Sequence, residues 1–457
     1  MNGYNGWSYA PYKPFCFDVG DIYICRVTYA INSIHLEWLE ADGECEIYYR
    51  KRGEGDFLSA GKTRGTEFDI SGLDFETDYE FYVASGERKS RVRLARTGET
   101  VGTVVNYLHP EDKAYSFSGK YLASPCIVRH PDGFLLASMD VYGPQDPQNL
   151  TLIFRSDDDG KTWHYVSELM PSFWGMMFIH RGELYMLSVS TEYGDLLIGK
   201  SMDGGKTFST PTVLMRGAGG KNGRAGFHKA PHKILCDSGR LYTTVEWGSW
   251  GNSAGYKHAA LVISIDENDD LMVAENWTFT DPIKFNIFAP ELEGLTSNAM
   301  TIEGTLVKAL DGKLLNIMRF EKHGYVLAYE LKDAETLAYS HLIEMPTNHS
   351  KFTIRYDEVS QKYYAIVSEK YGDCRPSARN LLSLVASDDL EKWEVVSRLI
   401  DYRHMDAKTV GFQYVDFFFD AGDILYLSRT ALNGANNFHD SNQITFHRIK
   451  NFRNLVP

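Results

Sequence analysis

Two short segments near the middle of the chain share the pattern Ser-x-Asp-x-Gly-x-Thr followed by an aromatic residue. The first runs from Ser156 to Trp163 and the second from Ser201 to Phe208, and a degenerate third copy without the glycine runs from Ser387 to Trp393. An Asp that accepts backbone N–H bonds and a Gly with positive φ make a tight turn, and the aromatic residue anchors the returning strand. The repeat therefore predicts an array of similar β-hairpin units.

The rest of the chain agrees with a protein built from many short strands. It has 457 residues, of which 39 are Gly and 13% are aromatic, and long windows show no helical periodicity. Turn pairs such as Asp132-Gly133 and Asp311-Gly312 recur from about residue 100 to the end. This part divides into six units of about 60 residues, each large enough for a four-stranded sheet with functional loops, and seven smaller units also fit.

The repeated segments resemble the Asp-box, or BNR repeat, of sialidase-like β-propellers. The resemblance implies an all-β fold: a six-bladed sialidase-like propeller over residues 99–457. The box is specific for the fold and carries little information about activity, because in that family it lies in blade turns outside the active site.

The first hundred residues follow a different pattern. Short alternating strands are predicted at 22–28, 33–39, 44–50, 66–70, 79–84 and 90–95, which is typical of a β-sandwich. The segment from Leu73 to Val83 resembles the fibronectin type III corner, with Tyr79 as the corner tyrosine and Trp38 as the core tryptophan. We therefore expect an N-terminal extension at 1–20 and a small sandwich at 21–98 before the propeller.

The most informative segment for chemistry runs from Glu303 to Arg319. A strand, an Asp-Gly turn and a returning strand would place these two residues at the same end of one hairpin. The segment resembles the sialidase hairpin that carries a catalytic Glu and a carboxylate-binding Arg. By the same resemblance, Arg379 matches the family's last carboxylate-binding arginine and Tyr414 matches its nucleophile.

The chemistry of such a set is coherent. A substrate with a carboxylate beside its anomeric carbon would repel an Asp or Glu nucleophile, whereas a neutral phenol can approach it. Tyr414 would attack while Glu303 takes its proton, and Arg319 and Arg379 would each offer a planar fork to the substrate carboxylate. A Tyr in an aromatic run or an Arg at a strand end is, taken alone, more often structural.

The resemblance fails at the start of the first blade. Ala123 stands where sialidases place the first of three carboxylate-binding arginines, so one guanidinium is expected to be missing and sialic acid becomes a doubtful substrate. Losing such a partner costs about 1.5–3 kcal/mol. The general acid is ambiguous: Asp140, at a predicted strand end, is preferred over Asp146, although a structural role for Asp140 is equally compatible with the sequence.

Two further groups of polar and aromatic residues favour other readings. Imidazole, phenol and ammonium groups could abstract an α-proton from a uronic acid, as in polysaccharide lyases, and the aromatic rings could stack on sugars. The first group precedes residue 260 and the second lies near the end of the chain. The candidate substrate-binding residues in these groups are His228, His232, Glu246, Trp247, Tyr256, Arg429 and His439.

Charge and cysteine content limit the partners. The formal net charge of −14 argues against nucleic acid, and no apolar run predicts a membrane span. The six scattered cysteines form no metal-type motif and are predicted to be buried free thiols. No motif requires a metal or cofactor. With no visible signal segment, a cytoplasmic location is the default, or a secreted or periplasmic one if a leader has been removed.

Together these observations predict a carbohydrate-active enzyme. The preferred reading is an exo-acting, retaining glycoside hydrolase of the sialidase superfamily that acts on a terminal acidic sugar in a glycan and is not a standard sialidase. A lyase or glycosidase for uronic-acid polysaccharides on the same propeller is the first alternative. A glycan-binding propeller without catalysis is the second, and the oligomeric state stays open.

Overall fold

The protein is described from a computed structural model, which covers residues 22–39, 41, 43–115, 120–143, 148–217, 225–250, 258–284, 289–295 and 300–455. Almost all regular structure in these ranges is β-strand, with short 3₁₀ helices at Ala274–Asn276, Pro290–Leu292 and Phe452–Asn454. None of the described helices is long and apolar enough to cross a membrane. The predicted all-β class is confirmed.

The N-terminal part forms two sheets that face each other. One sheet has the order β1-β2-β5, and the other has the order β4-β3-β6-β7, with β8 also paired to β6. Between them lies an apolar core that includes Trp38, Tyr79 and Phe81. The strands are β1 (Ile24–Tyr29), β2 (Ser33–Trp38), β3 (Cys45–Lys51), β4 (Leu58–Thr63), β5 (Glu67–Ser71), β6 (Asp78–Ser85), β7 (Arg88–Lys89) and β8 (Arg93–Arg96).

The predicted sandwich strands are present, and two strands escaped prediction, β4 and the two-residue β7. Strand β4 is largely exposed and lies at a sheet edge, so it lacks the alternation of buried and exposed residues that marks β2 and β6. The Tyr79 hydroxyl accepts a hydrogen bond of 2.9 Å from the Asp74 backbone N–H, which ties the corner to the strand that follows it. This contact has the form of a tyrosine corner. Membership of the fibronectin type III family stays a prediction.

Six further sheets follow in chain order, and each is an antiparallel sheet of at least four strands. Inner strands of neighbouring sheets contact each other, as β10 does with both β14 and β32 and as β24 does with β28, so the sheets surround a central axis. This is a six-bladed propeller.

The strands of blades one to three are β10 (Tyr121–Arg129), β11 (Leu135–Tyr142), β12 (Leu150–Ser156), β13 (His164–Leu169), β14 (Phe173–His180), β15 (Glu183–Val189), β16 (Leu196–Ser201), β17 (Thr212–Met215), β18 (Gly226–His228), β19 (Leu235–Asp237), β20 (Arg240–Gly248), β21 (His258–Asp266), β22 (Thr278–Phe279) and β23 (Ile283–Lys284). Those of blades four to six are β24 (Thr301–Lys308), β25 (Leu314–Phe320), β26 (Tyr325–Leu331), β27 (Leu337–Glu344), β28 (Ile354–Asp357), β29 (Lys362–Ser368), β30 (Leu381–Ser387), β31 (Glu394–Asp401), β32 (Gly411–Asp420), β33 (Asp423–Ala431) and β34 (Gln443–Ile449).

Blade six is completed by a strand from the other end of the described chain. Strand β9 (Thr103–Tyr107), which follows the sandwich, pairs antiparallel with β34 and supplies the outermost strand. The last strand of the propeller, β34, therefore closes the ring against β9 and not against the first blade. The sandwich also packs here, because Val104 and Tyr107 belong to its apolar core and Arg26 donates 2.7 Å to the Val105 carbonyl.

The repeated Asp-Gly segments form the predicted turns. In the first, the Asp158 carboxylate accepts bonds from the Thr162 backbone N–H and hydroxyl at 2.9 and 2.7 Å, while the Gly160 N–H donates to the Ser156 hydroxyl. The second copy repeats this pattern around Asp203. The third uses Asp389 as its acceptor. The turn prediction is confirmed, and the Asp-box name stays a resemblance.

The inner strands of four blades carry a bulge with one residue in the left-handed backbone region. These residues are Ser124, Trp174, Glu303 and Tyr414, with φ angles of 48°, 51°, 58° and 55°. Each lies where the register of the inner strand shifts against its neighbour. A bulge redirects a side chain at a barrel or propeller rim, so the fold presents equivalent positions from blades one, two, four and six.

The described cysteines are all free thiols. Cys25, Cys45 and Cys126 are buried as predicted, whereas Cys236 is exposed and Cys374 is half-buried, so the prediction of burial is wrong for these two. Cys236 is the middle residue of the short strand β19, which pairs only with β20, and Cys374 lies in a loop, so neither belongs to a blade core. Cys16 lies outside the described residues.

Candidate active site

Three of the predicted residues form one hydrogen-bonded group. The Tyr414 hydroxyl donates to Glu303 Oε1 at 2.6 Å, and the Arg319 guanidinium donates to Glu303 Oε2 at 2.7 Å and to the Tyr414 oxygen at 3.1 Å. The predicted contact between Tyr414 and Glu303 is confirmed. Glu303 and Arg319 come from opposite strands of one hairpin, in which Ile302 is paired with Arg319, as the sequence predicted.

Local backbone structure sets the direction of both Glu303 and Tyr414. Each lies at an inner-strand bulge with positive φ, an uncommon conformation for a residue with a side chain. Behind Glu303, a Cβ at Gly304 would lie 2.1 Å from Asn316 Oδ1, so only glycine fits. The Gly304 N–H donates to Glu246 Oε1 at 3.1 Å. A glutamate of blade three therefore stabilises the bulge of blade four.

The charges of the group favour an ionised Glu303 and a neutral Tyr414. Burial alone would raise the pKa of Glu303, but the charges of Arg319 and His228 and the hydrogen bond from Tyr414 outweigh it, and the pKa is lowered. Burial, followed by the charge of Glu303, raises the pKa of Tyr414 despite the nearby arginines. A carboxylate is thus held as the acceptor of a phenol proton.

Two more arginines surround the Tyr414 ring. The guanidinium carbons of Arg379 and Arg429 lie 5.6 and 5.0 Å from the ring centroid. Burial, with repulsion from Arg319 and Arg429, lowers the pKa of Arg379 to about 10 even though Tyr414 opposes the shift. Arg319, Arg379 and Arg429 each keep a buried Nε–H without a hydrogen-bond partner. Three cationic groups therefore converge on the phenol.

This convergence corrects the expectation of a missing guanidinium. Ala123 leaves blade one without an arginine, but Arg429 on β33 of blade six supplies a third. Its register opposite Gln413 places it next to Tyr414 in the sheet, and its guanidinium donates to the Tyr142 hydroxyl of blade one at 2.5 Å. The Arg429 guanidinium therefore reaches the border of blades one and six from the blade-six side.

Asp140 is buried against the bulge of blade two. Its side chain is completely buried; one carboxylate oxygen accepts the Thr151 hydroxyl at 2.6 Å and the other accepts the Trp174 N–H at 2.7 Å. Burial raises the pKa of Asp140 to about 7, although these bonds oppose the shift. The contacts fit the structural role, in which Asp140 supports the bulge of blade two. Asp146 lies outside the described residues.

A second polar group lies beside the first. His228 Nδ1 and Glu246 Oε2 are 2.6 Å apart, and the His228 ring contacts the Trp174 ring at a centroid distance of 4.1 Å. The Tyr193 hydroxyl is 3.1 Å from His258 Nε2, and the His228 and His258 rings are 4.9 Å apart. Because Glu246 contacts His228 through Oε2 and accepts the Gly304 N–H, next to Glu303, through Oε1, the two groups adjoin each other.

The other predicted residues have different positions. Trp247 lies on the opposite face of β20 from Glu246 and packs on Phe227 in an apolar core, which argues against sugar stacking by this ring. His232 is buried, with neither ring nitrogen bonded. His439 lies 2.9 Å from Asp440, and its carbonyl accepts a bond from Arg429. Tyr256 lies outside the described residues.

Sequence reasoning missed several members of the site. Trp174 and Tyr142 lie near the ends of strands in the first two blades, and Tyr193 lies in the loop between β15 and β16; no motif was recognised at any of them. Trp174 occupies the same bulge position as Glu303 and Tyr414. An alignment of the inner strands to one another, blade by blade, would have provided the signal.

No known family profile and no curated protein sequence matches the chain. Several solved structures match the chain in fold. The α-L-arabinanase of Penicillium chrysogenum, solved with arabinobiose, matches with a TM-score of 0.52 and 13% identity over 78% of this chain and 99% of that one. The sialidase of Trypanosoma rangeli matches with a TM-score of 0.48 and 16% identity over 74% of this chain and 55% of that one. A polysaccharide lyase described as an ulvan lyase matches at 0.47 and 11%, covering 96% and 98%. At these identities the arabinanase match establishes the fold alone.

Proposed function

We propose that this propeller is a retaining glycoside hydrolase that removes a terminal acidic sugar from a glycan. The observation that carries the proposal is the 2.6 Å contact between the Tyr414 hydroxyl and Glu303, within a ring of three arginines. Because the Nε–H donors of these arginines have no partner among the described residues, a substrate carboxylate would satisfy groups that are otherwise buried without a bond there.

In the first step, the Tyr414 oxygen attacks the anomeric carbon as its proton passes to Glu303, and the bond to the leaving oxygen breaks as a general acid protonates that oxygen. Arg319 already donates to the Tyr414 oxygen and so stabilises negative charge as it develops there. In the second step, the conjugate base of that acid takes a proton from water, the water oxygen replaces the phenol oxygen at the anomeric carbon, and Glu303 returns its proton to Tyr414. The configuration is retained because two displacements occur.

The test is the Tyr414→Phe variant, which removes the nucleophilic oxygen and keeps the ring. Activity on chromogenic acidic glycosides should fall by about 10³-fold or more, with little change in melting temperature. The panel contains sialosides and uronides, and we expect sialosides to be the poorer substrates because the third arginine comes from blade six. Undiminished turnover by this variant would refute the nucleophile assignment.

A β-elimination reaction on a uronic-acid glycan is the second candidate, and the buried contact of 2.6 Å between His228 and Glu246 favours it. In that reaction His228 would take the α-proton of the uronate while the leaving oxygen is protonated and a double bond forms. His228→Ala should then lower the elimination activity by about 10²–10⁴-fold, and the products of the parent should absorb in the ultraviolet. If the protein is the hydrolase, His228→Ala should reduce activity only mildly and no ultraviolet absorbance should appear.

A parent protein that binds acidic glycans without turning over any of them would be a binding module.

The general acid can be located with leaving groups of different pKa. The sequence offers Asp140 and Asp146 as candidates; we propose that Asp140 has the structural role, and each residue is replaced by Asn. Loss of the true acid should slow poor alkyl leaving groups by about 10²-fold or more and spare activated aryl groups, which leave without protonation. Because both Asp140 oxygens are bonded within the protein, Asp140→Asn should affect both substrate types equally. A selective effect of Asp140→Asn would reverse this assignment.

A further inference from the structure

Gln413 stands directly before Tyr414 on the inner strand of blade six, and its side chain is completely buried. Its carboxamide is bonded at both ends. The oxygen accepts a hydrogen bond from the Arg379 guanidinium, and the nitrogen donates to the Phe438 carbonyl at 2.5 Å and to the Ser441 hydroxyl at 3.2 Å. Because a guanidinium only donates and a carbonyl only accepts, the two ends of the amide cannot be exchanged.

The same amide connects two arginines of the candidate active site. The guanidinium carbon of Arg379 lies 5.4 Å from the centroid of the Phe438 ring, and the next carbonyl along the chain, that of His439, accepts a bond from Arg429. Gln413 is also paired with Arg429 in the sheet register. One buried side chain therefore sets the positions of Arg379 and Arg429 relative to each other.

The bonds of these two arginines are all with neutral groups. Arg379 also donates to the His349 carbonyl at 2.6 Å, and Arg429 donates to a hydroxyl and a carbonyl. Within the part of the chain that the structure describes, neither guanidinium lies in salt-bridge distance of a carboxylate. Arg319 differs, because it pairs with two glutamates at 2.7 and 2.6 Å. The protein's own carboxylates thus engage Arg319 and leave the other two arginines without a carboxylate in contact.

We propose that Gln413 is a positioning residue that determines the preference for acidic substrates by holding Arg379 and Arg429 for the substrate carboxylate. Its neutral amide bonds Arg379 without adding a negative charge that would compete with that carboxylate. A glutamate has nearly the same shape, but it would form a charge-assisted bond with Arg379 and would lose the donor that reaches the Phe438 carbonyl. The inference rests on the proposed function, from which it takes the acidic ligand.

Gln413→Glu tests the charge at this position. For an acidic glycoside that the parent hydrolyses, KM should rise by about tenfold or more, with little change in kcat, because the loss affects binding of the carboxylate. KM for the methyl ester of the same glycoside should change less, since the ester carries no negative charge. Gln443→Glu is the matched control, because Gln443 is also fully buried in blade six and its amide donates to the Tyr29 hydroxyl. It should lower the melting temperature and leave the ratio of the two KM values unchanged.

Gln413→Met separates charge from positioning, because it removes both hydrogen bonds and adds no charge. It should raise the KM of the acid more than that of the ester, but by a smaller factor than Gln413→Glu does. If either variant raised the two KM values equally, or lost only kcat and melting temperature, Gln413 would have a structural role alone and the proposal would be overturned.

Titration calorimetry with the same acid and ester keeps this test separate from that of the reaction. A parent that binds the acid without hydrolysing it would refute the hydrolase. Binding of the acid that is about tenfold weaker in Gln413→Glu would then still support the role of Gln413, and unchanged binding would overturn it. A parent that neither hydrolyses nor binds any acidic glycoside would contradict both proposals.

Discussion

At the scale of single residues, the site depends on backbone conformation as much as on side-chain chemistry. Glu303 and Tyr414 both have positive φ angles, a conformation that costs a non-glycine residue of order 1–3 kcal/mol. The surrounding contacts offset this cost: Arg319 bonds both side chains, and Lys351 bonds the carbonyl of Val415, next to Tyr414. The geometry of the Tyr414, Glu303 and Arg319 group is thus set by the inner strands themselves.

Asp140 gives a prediction about pH and stability. An unfolded Asp ionises near pH 3.9, whereas burial raises the pKa of folded Asp140 to about 7. Between these values the folded state binds more protons, so this group makes the free energy of unfolding fall as pH rises from about 4 to 7. Over this pH range, ionisation of Asp140 lowers the free energy of unfolding by an amount on the order of 3–4 kcal/mol.

The measurement is denaturant unfolding of the parent and of Asp140→Asn at several pH values. The stability advantage of the parent over the variant should shrink steadily between pH 4 and pH 7. Asp157→Asn, at an exposed turn, serves as the control and should lack this trend. A constant difference between parent and Asp140→Asn would contradict the buried, proton-holding role.

At the scale of elements, the repeated turns differ in what surrounds them. Gly160 and Gly205 occupy equivalent positions with φ angles of 87° and 89°. A Cβ on Gly160 would lie 2.1 Å from the Phe446 ring, whereas one on Gly205 would meet Leu136 at an ordinary 3.5 Å. The first turn therefore packs against the strand that closes the propeller, and the second packs only loosely between blades one and two.

Alanine at the two positions should therefore have unequal effects. Gly205→Ala should cost about 1–2 kcal/mol from the left-handed backbone conformation alone. Gly160→Ala carries the same cost and also displaces a buried phenylalanine, so we expect roughly 3 kcal/mol or more. Denaturant unfolding gives both values. Equal losses would mean that Phe446 moves aside freely.

How far the sequence predicted the site depends on how each residue is connected. The hairpin of Glu303 and Arg319 could be predicted because a local turn pairs its strands, and the turn around Asp158 because its bonds span four residues. The role of Trp174 was harder to predict, because a bulge changes which side chains face the axis. The position of Arg429 was also harder to predict, because its contact with Tyr142 joins different blades. The resemblance supplied Tyr414, whose partner Glu303 is distant in sequence.

At the scale of the whole molecule, the sandwich and the propeller share an interface at the closing blade. Arg26 of β1 donates to the Val105 carbonyl of β9, and the Gln443 side chain of β34 donates to the Tyr29 hydroxyl at 2.8 Å. Tyr107 packs in the sandwich core and forms an edge-on contact with Tyr29 at 4.8 Å. The sandwich thus supports the strand pair that completes the ring.

Arg26→Ala should destabilise the protein at this interface. It leaves the Val105 carbonyl without its buried donor and should cost about 1–3 kcal/mol. Arg50→Ala is the matched control, since Arg50 pairs with Glu80 at a half-buried site within the sandwich, and it should cost less than about 1 kcal/mol. Thermal unfolding followed by near-ultraviolet circular dichroism should reveal the difference. A larger effect of Arg50→Ala would show that the interface contributes little.

The pairing of β9 with β34 has a consequence for the order of assembly during translation. The two strands are more than three hundred residues apart, so β9 leaves the ribosome long before its partner exists. At about 5–20 residues per second, its free edge stays open for tens of seconds, and Tyr414 and Arg429 arrive only at the end of that interval. Catalytic competence should therefore appear late and in a single step, when the last blade closes on a strand made near the beginning.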